Sequence, residues 1–172
     1  SVERVIAVLE EERRAIEAAI AEHLRQHARL QAGCALLLPL PGIGPATVVP
    51  LLLALERWNT LTDGQGDAAG LVASLGLDPQ PYQSGTSVHG RATISRKGSD
   101  VLRCHLFMGV LGGVRGHNPL RAFYQRLVAR GKPKKVALIA AMRKLVVWAW
   151  AVYRSGQPFD PAKLAHLSAP AS

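Results

Sequence analysis

Apolar side chains at Val2, Val5, Ile6, Leu9, Ile16, Ala19, Ile20, Leu24 and Leu30 recur at three- and four-residue steps, while Glu10, Glu11, Glu12, Arg13 and Arg14 fill the other faces. This spacing predicts one long amphipathic helix over 2–31, with nothing to break it before Gly33. Its apolar stripe is narrow and its flanks are charged, as in a strand of a coiled coil or an arm leaning on a partner helix. A helix of that length extends about 45 Å, more than the edge of a small domain needs. Residues 1–32 therefore read as a coiled-coil arm, half of a hairpin whose other half is expected upstream of Ser1.

The pattern then changes. Leu40-Pro41-Gly42-Ile43-Gly44-Pro45 separates two helical stretches, with Pro45 where a first helical turn tolerates its missing N–H. Two glycines around an apolar plug are the signature of a helix–hairpin–helix, whose second helix turns its free N–H groups toward a phosphate; an ordinary Pro-Gly turn is the alternative. Residues 59–66 are a polar loop, and a short helix is expected from about Asp67 to Leu75, closed by Gly76. Residues 78–98 are the least helical part, with Thr86, Val88, Thr93 and Ile94 favouring a loop or short β-hairpin. Ser99 or Asp100 is placed to cap the next helix, which Gly112-Gly113 and Gly116-His117-Asn118-Pro119 interrupt. A helix over 120–129, a loop over 130–135 and an apolar helix over 136–154 complete the body, and the chain reads as poorly ordered from Pro158. The fold expected is mainly α: the arm, a compact helical domain over 33–160 with its hairpin-like turn and central irregular segment, and a tail over 161–172.

Composition supports a folded core, since 48 % of the 172 residues are apolar and 19 % charged. Residues 32–55 carry no charge, yet four prolines and three glycines punctuate them, so no membrane span is expected there. Cys34 and Cys104 fit no metal spacing, which makes a reduced, cytoplasmic chain the economical reading and disfavours zinc or a disulfide scaffold. The net charge of +9 is unevenly placed: residues 1–32 sum to −1, residues 33–80 to −3 and residues 81–172 to +13. A one-sided field of that kind suits a polyanion, nucleic acid before membrane, against the plainer reading of a solvated basic surface.

Within 78–98, Gln83-Ser84-Gly85-Thr86-Ser87-Val88-His89-Gly90-Arg91 places a serine before a glycine, with His89, Arg91, Arg96 and Lys97 nearby. A serine hydroxyl is a weak nucleophile without a base or a charge-stabilising setting, and arginines provide the second around a phosphodiester. By chemistry alone a Ser-Gly pair is more often simply a turn. Lys132, Lys134 and Lys135 precede the last helix, where cations meet phosphates or water. Trp148, Trp150 and Tyr153 lie in an apolar helix and read as core anchors. After residue 80 the only acids are Asp100 and Asp160, so no two-metal site can be built from the basic half.

Taken in order, Leu40-Pro41-Gly42-Ile43-Gly44-Pro45, Gly76-Leu77-Asp78-Pro79, Gln83 to Arg91, Ser95-Arg96-Lys97-Gly98, Leu102-Arg103, Phe123-Tyr124-Gln125-Arg126-Leu127, Gly131-Lys132, Ala141-Met142-Arg143-Lys144-Leu145 and Ser155 to Asp160 resemble the C-terminal half of the IS one-ten family of insertion-sequence transposases. The resemblance runs over about 36–160. It implies a bacterial, RNA-guided DNA recombinase in which an N-terminal RuvC-like domain holds a divalent metal, Mg, on four acids while the C-terminal domain supplies a serine. The matching serine is Ser84, which would form a transient phosphoserine link. Gly42, Ile43, Gly44, Thr86, Ser87, His89, Arg91, Arg96, Lys97, Arg103, Lys132, Lys134 and Lys135 are the candidate nucleic-acid contacts. No metal is expected in this chain itself; DNA, a guide RNA and further copies of the chain are the expected partners. The loop Asp63-Gly64-Gln65-Gly66 is richer in glycine than the family's pattern. Two other readings stay open: a helix–hairpin–helix module that binds without chemistry, and an assembly domain built around the arm.

Overall fold

The computed structural model describes residues 1–80, the backbone of 83–84 and 88–89, and residues 93–162. Among them, helices α1 (Val2–Gln26), α2 (Ala28–Leu37), α3 (Pro45–Leu61) and α4 (Ala68–Ser74) precede four two-residue strands, β1 (Pro79–Gln80), β2 (Gln83–Ser84), β3 (Val88–His89) and β4 (Thr93–Ile94). Helices α5 (Asp100–Gly113), α6 (Pro119–Ala129) and α7 (Lys134–Ser155) follow. The fold is mainly α with a long N-terminal helix and a short antiparallel hairpin, as the patterning predicts.

Local chemistry sets most of the boundaries. Asp67 accepts a hydrogen bond from the Gly70 amide at 2.8 Å, Ser99 from the Leu102 amide at 3.2 Å and Asn118 from the Arg121 amide at 3.0 Å. Each satisfies an amide that a helix start leaves unpaired. At the other ends, Gly76, Gly131 and Gly156 take φ values of +69°, +82° and +62°. The first two build Schellman closures: Leu77 N–H donates to Val72 at 3.1 Å, and Lys132 N–H to Leu127 at 3.1 Å.

The single helix expected over 2–31 is instead two. His27 leaves helical geometry at φ −122°, ψ 84°, its Nδ1 lies 2.9 Å from the His23 carbonyl, and the two imidazoles meet tilted at 31° with centroids 4.2 Å apart. The break lets α2 lie on α3, where Arg29 Nη2 donates to both Glu56 carboxylate oxygens at 2.8 and 3.2 Å. Helix α2 also runs through Gly33, where an end was expected, because a Cβ there would stand 2.9 Å from Leu52 Cδ1 and its absence admits α3. No residue of α1 is buried.

Helix α7 forms the centre, packed against α2, α4, α5 and α6. Ala137, Leu138, Ala141, Met142, Leu145, Val146, Trp148, Ala149, Trp150 and Val152 are all buried. Its length and hydropathy would suffice to cross a membrane, yet half of that stretch lies inside the fold. Phe159, in the stretch expected to be poorly ordered from Pro158, sits against Trp148 with ring centroids 5.3 Å apart. The glycine-rich loop has a packing role too: Cβ atoms at Gly66 and Gly70 would fall 2.5 and 2.7 Å from the Trp58 indole, which also donates to the Asp67 carbonyl at 3.2 Å.

One contact brings the two halves of the core together. Gly42, at φ +91°, rests on α5 so closely that a Cβ on Gly109 would lie 2.1 Å from the Gly42 oxygen, and one on Gly113 3.1 Å from the Gly42 Cα. Gly112, on the same helix, faces nothing within 4 Å. The pair of glycines expected to interrupt the helix stands at its end, since α5 finishes at Gly113. Two substitutions on α5 separate the effects. Gly112→Ala should raise stability by about 0.5–1 kcal/mol through helix propensity, whereas Gly109→Ala should lower it by about 1–3 kcal/mol through overpacking. Denaturant unfolding of the two variants checks the sign of each.

Candidate functional site

The hairpin that carries Ser84 grows out of a crossing of two chain segments. Helix α4 ends at the Gly76 closure, and 76–78 meet 95–98 coming back. A Cβ at Gly76 would lie 2.2 Å from the Lys97 oxygen, and one at Gly98, φ +74°, 2.4 Å from the Ser74 oxygen. Both positions need glycine for space and for backbone sign. Arg96 also adopts a left-handed φ of +56°. Main-chain bonds cross the gap from Ser95 N–H to the Asp78 carbonyl at 3.0 Å and from Arg96 N–H to the Gly76 carbonyl at 3.1 Å.

Beyond the crossing, β1 pairs antiparallel with β4, Pro79 opposite Ile94 and Gln80 opposite Thr93. Further out, β2 pairs with β3, Gln83 opposite His89 and Ser84 opposite Val88. The ladders are one residue out of phase, so the return strand carries one more residue between them. Ser84 and His89 are thereby placed on facing strands; Thr86, Ser87 and Arg91 lie outside the described residues.

Side chains reinforce the crossing. The Asp78 carboxylate accepts from Ser95 Oγ and, at 2.6 Å, from Gln80 Nε2. These bonds, that from Ser95 foremost, and the nearby Lys97 charge hold its pKa below the usual carboxylate value. Arg103 Nη1 donates to the carbonyls of Lys97 at 2.6 Å, Gly98 at 3.1 Å and Leu75 at 3.3 Å. The guanidinium expected on nucleic acid is thus anchored to the protein's own backbone, while Arg96 and Lys97 beside it are exposed.

The other candidates fall elsewhere. Ile43 plugs the turn into the core at 7 % exposure, Gly42 is occupied by α5, and Gly44 is the open N-cap of α3. Lys134 and Lys135 open α7 rather than ending a loop, and with Lys132 they are exposed and make no ion pair among the described residues. Lys144 stands between two rings, 5.9 Å from the centroids of Phe123 and of Trp148. Sequence reasoning missed the Asp78, Ser95 and Arg103 contacts. Their only advance signal was that Gly76-Leu77-Asp78-Pro79 and Ser95-Arg96-Lys97-Gly98 frame the irregular segment at both ends. A divalent metal finds no donor set here: no group of three or more His, Cys, Asp or Glu side chains comes together among the described residues.

Comparison with known proteins assigns the class first. A family model for transposases matches residues 34–125, more than half of the chain, and the chain belongs to the transposase IS116/IS110/IS902 family. It is 37 % identical over 126 residues to the pilin gene-inverting protein of Moraxella bovis, covering 73 % of this chain and 38 % of that one. The Moraxella lacunata pilin gene-inverting protein is 36 % identical over the same length. An uncharacterized 43.6 kDa protein of insertion element IS110 from Streptomyces coelicolor is 31 % identical over 157 residues, covering 90 % of this chain and 36 % of that protein. The chain therefore spans little more than a third of the length of the curated relatives it matches.

The lowered Asp78 pKa has a pH consequence. Because the ionised form is favoured in the folded state, its contribution is present above the ordinary carboxylate pKa of about 4 and is lost as pH falls through the lowered folded value. Wild type and Asp78→Asn should therefore differ in melting temperature at neutral pH and converge in acid. Thermal melts across that range check it.

Proposed function

We propose that this chain is the serine-bearing, nucleic-acid-binding part of a DNA recombinase. Family membership carries the class, and the relatives named for inverting a pilin gene support rearrangement of DNA as the outcome. The finer reading rests on Ser84, placed in β2 of a hairpin that leaves the helical body beside exposed Arg96 and Lys97. A duplex is too wide for any small cavity, whereas a projecting hairpin reaches a backbone phosphate from outside.

The Ser84 hydroxyl attacks phosphorus, a serine–phosphate bond forms and the bond to one sugar oxygen breaks. That oxygen leaves with a proton, and the serine's own proton passes to solvent or a nearby base. Bond count is conserved, so a sugar hydroxyl of another strand can displace the serine and rejoin DNA without an external energy source. Neighbouring cations stabilise the charge that builds on the non-bridging oxygens. Lys132, Lys134 and Lys135 contribute sequence-independent backbone contacts, and a guide RNA would meet the same basic half. In this reading the family's divalent metal would be held by a portion of the protein outside this chain.

Two measurements test the reading. With nicked suicide DNA, the intact protein should give a denaturant-stable protein–DNA adduct and Ser84→Ala none; an adduct that persists in Ser84→Ala removes the nucleophile assignment and leaves a binding module. Replacing Lys132, Lys134 and Lys135 by Ala should weaken binding alike for unrelated sequences. It should also flatten the log–log salt slope by about 1 for each phosphate that is no longer neutralised. An unchanged slope in a salt titration would remove these lysines from the interface.

A further inference from the structure

We propose that Asp78 and Ser95, with Arg103 behind them, are positioning residues for Ser84: their clasp at the feet of the hairpin fixes the direction in which the serine is presented. The proposal rests on the reading of Ser84 as nucleophile. An isolated two-stranded hairpin is marginal in water, and this one has little to hold it, since Pro79, Gln80 and Thr93 are exposed and each ladder spans two residues per strand. Only Ile94 of its feet packs on the core. The direction of the hairpin is therefore decided where it leaves the body.

At that point a single carboxylate joins both directions of the chain. Asp78 precedes β1, Gln80 lies within it and Ser95 follows β4, so the hydrogen bonds from Gln80 and Ser95 hold outgoing and returning strands in one register. Arg103, in the first turns of α5, ties the same crossing to the helical body through three carbonyls, one from the outgoing side and two from the returning side. Ser84 lies six positions beyond Asp78 in the chain, a reach of up to about 20 Å. Over that distance a tilt of about 3° at the feet shifts the serine by about 1 Å, a displacement that can cost about 100-fold in a positioned reaction. None of the three residues needs to touch DNA to have this effect.

Ser95→Ala removes the hydroxyl that meets Asp78 without opening the core, and Ser95→Thr keeps it. In the intact protein on suicide DNA, Ser95→Ala and Asp78→Ala should each slow adduct formation by about 10- to 100-fold. DNA affinity should stay close to wild type, and at neutral pH the melting temperature should fall only as far as loss of the Asp78 hydrogen bonds accounts for, leaving both variants folded at the assay temperature. Ser95→Thr should recover most of the rate, and the double variant Asp78→Ala/Ser95→Ala should be no slower than the slower single variant, because both remove the same hydrogen bond. Adduct formation at the wild-type rate in both single variants would overturn the proposal. So would a loss that tracks unfolding and is shared by Ser95→Thr. The control is Ser84→Ala: if it still forms the adduct, the nucleophile reading has failed, whereas its silence beside an unimpaired Ser95→Ala places the failure in the clasp.

Discussion

The close approach of Gly42 to α5 is the constraint on which the rest of the body depends. Three positions without side chains, Gly42, Gly109 and Gly113, let a turn and a helix meet at backbone contact. With Ile43 buried beside them, this contact fixes where α3 starts relative to where α5 ends. Helix α5 in turn packs against α7, as does α2, which lies on α3. A side chain at either helical glycine would push the turn outward and open the layer that contains Leu51, Leu55, Leu106 and Val110, all fully buried. The same economy recurs at Gly33 against Leu52, at Gly66 and Gly70 against Trp58, and at Gly76 against the Lys97 backbone. This chain packs its elements by omitting side chains at crossings rather than by matching large ones.

Electrostatics follows the same division of labour. The back of the sequence holds the positive excess, but its cations do different things. Arg103 is spent on carbonyls, Lys144 on two aromatic faces and Arg154 on the Gly64 carbonyl and the Trp150 ring. Arg96, Lys97, Lys132, Lys134 and Lys135 are left exposed. A net charge counted from sequence thus overstates the field available to a partner, since part of it is already committed to the protein's own carbonyls and rings.

Much of this was readable in the residues alone, where a local interaction decides the outcome. Ser99, one of the two residues placed to cap α5, does so, Gly76 closes α4, and Thr93 and Ile94 form a strand of the expected hairpin. Departures occur where a distant partner overrides the local signal. His27 breaks the expected helix where α2 turns to pack on α3 and α7 with Leu30 against the core, and Gly33 continues a helix because Leu52 needs the room. Gly109 offered no turn signal at all, since its meaning is set by Gly42, far back in the chain. Arg103 was legible as a cation and illegible as a strut, because the carbonyls it serves come from 75, 97 and 98, which nothing in the linear pattern brings together. Of the candidate site, Ser84 and its basic surroundings were visible from motif and family; the Asp78 and Ser95 clasp became visible only in three dimensions.

The central place of α7 also governs the order in which this body can mature. The helix that fills the core is the last of the seven described helices to be made, while α2, α4 and α5, whose apolar faces it covers, are translated well before it. Synthesis proceeds at about 5–20 residues per second, so Leu106 and Val110 wait some seconds for Leu145 and Val146. Until α7 has been made, the faces of α2, α4 and α5 that it covers lack that partner. A transposase region built this way is held in an unfinished state until α7 emerges, so the platform from which its hairpin projects is assembled late in synthesis.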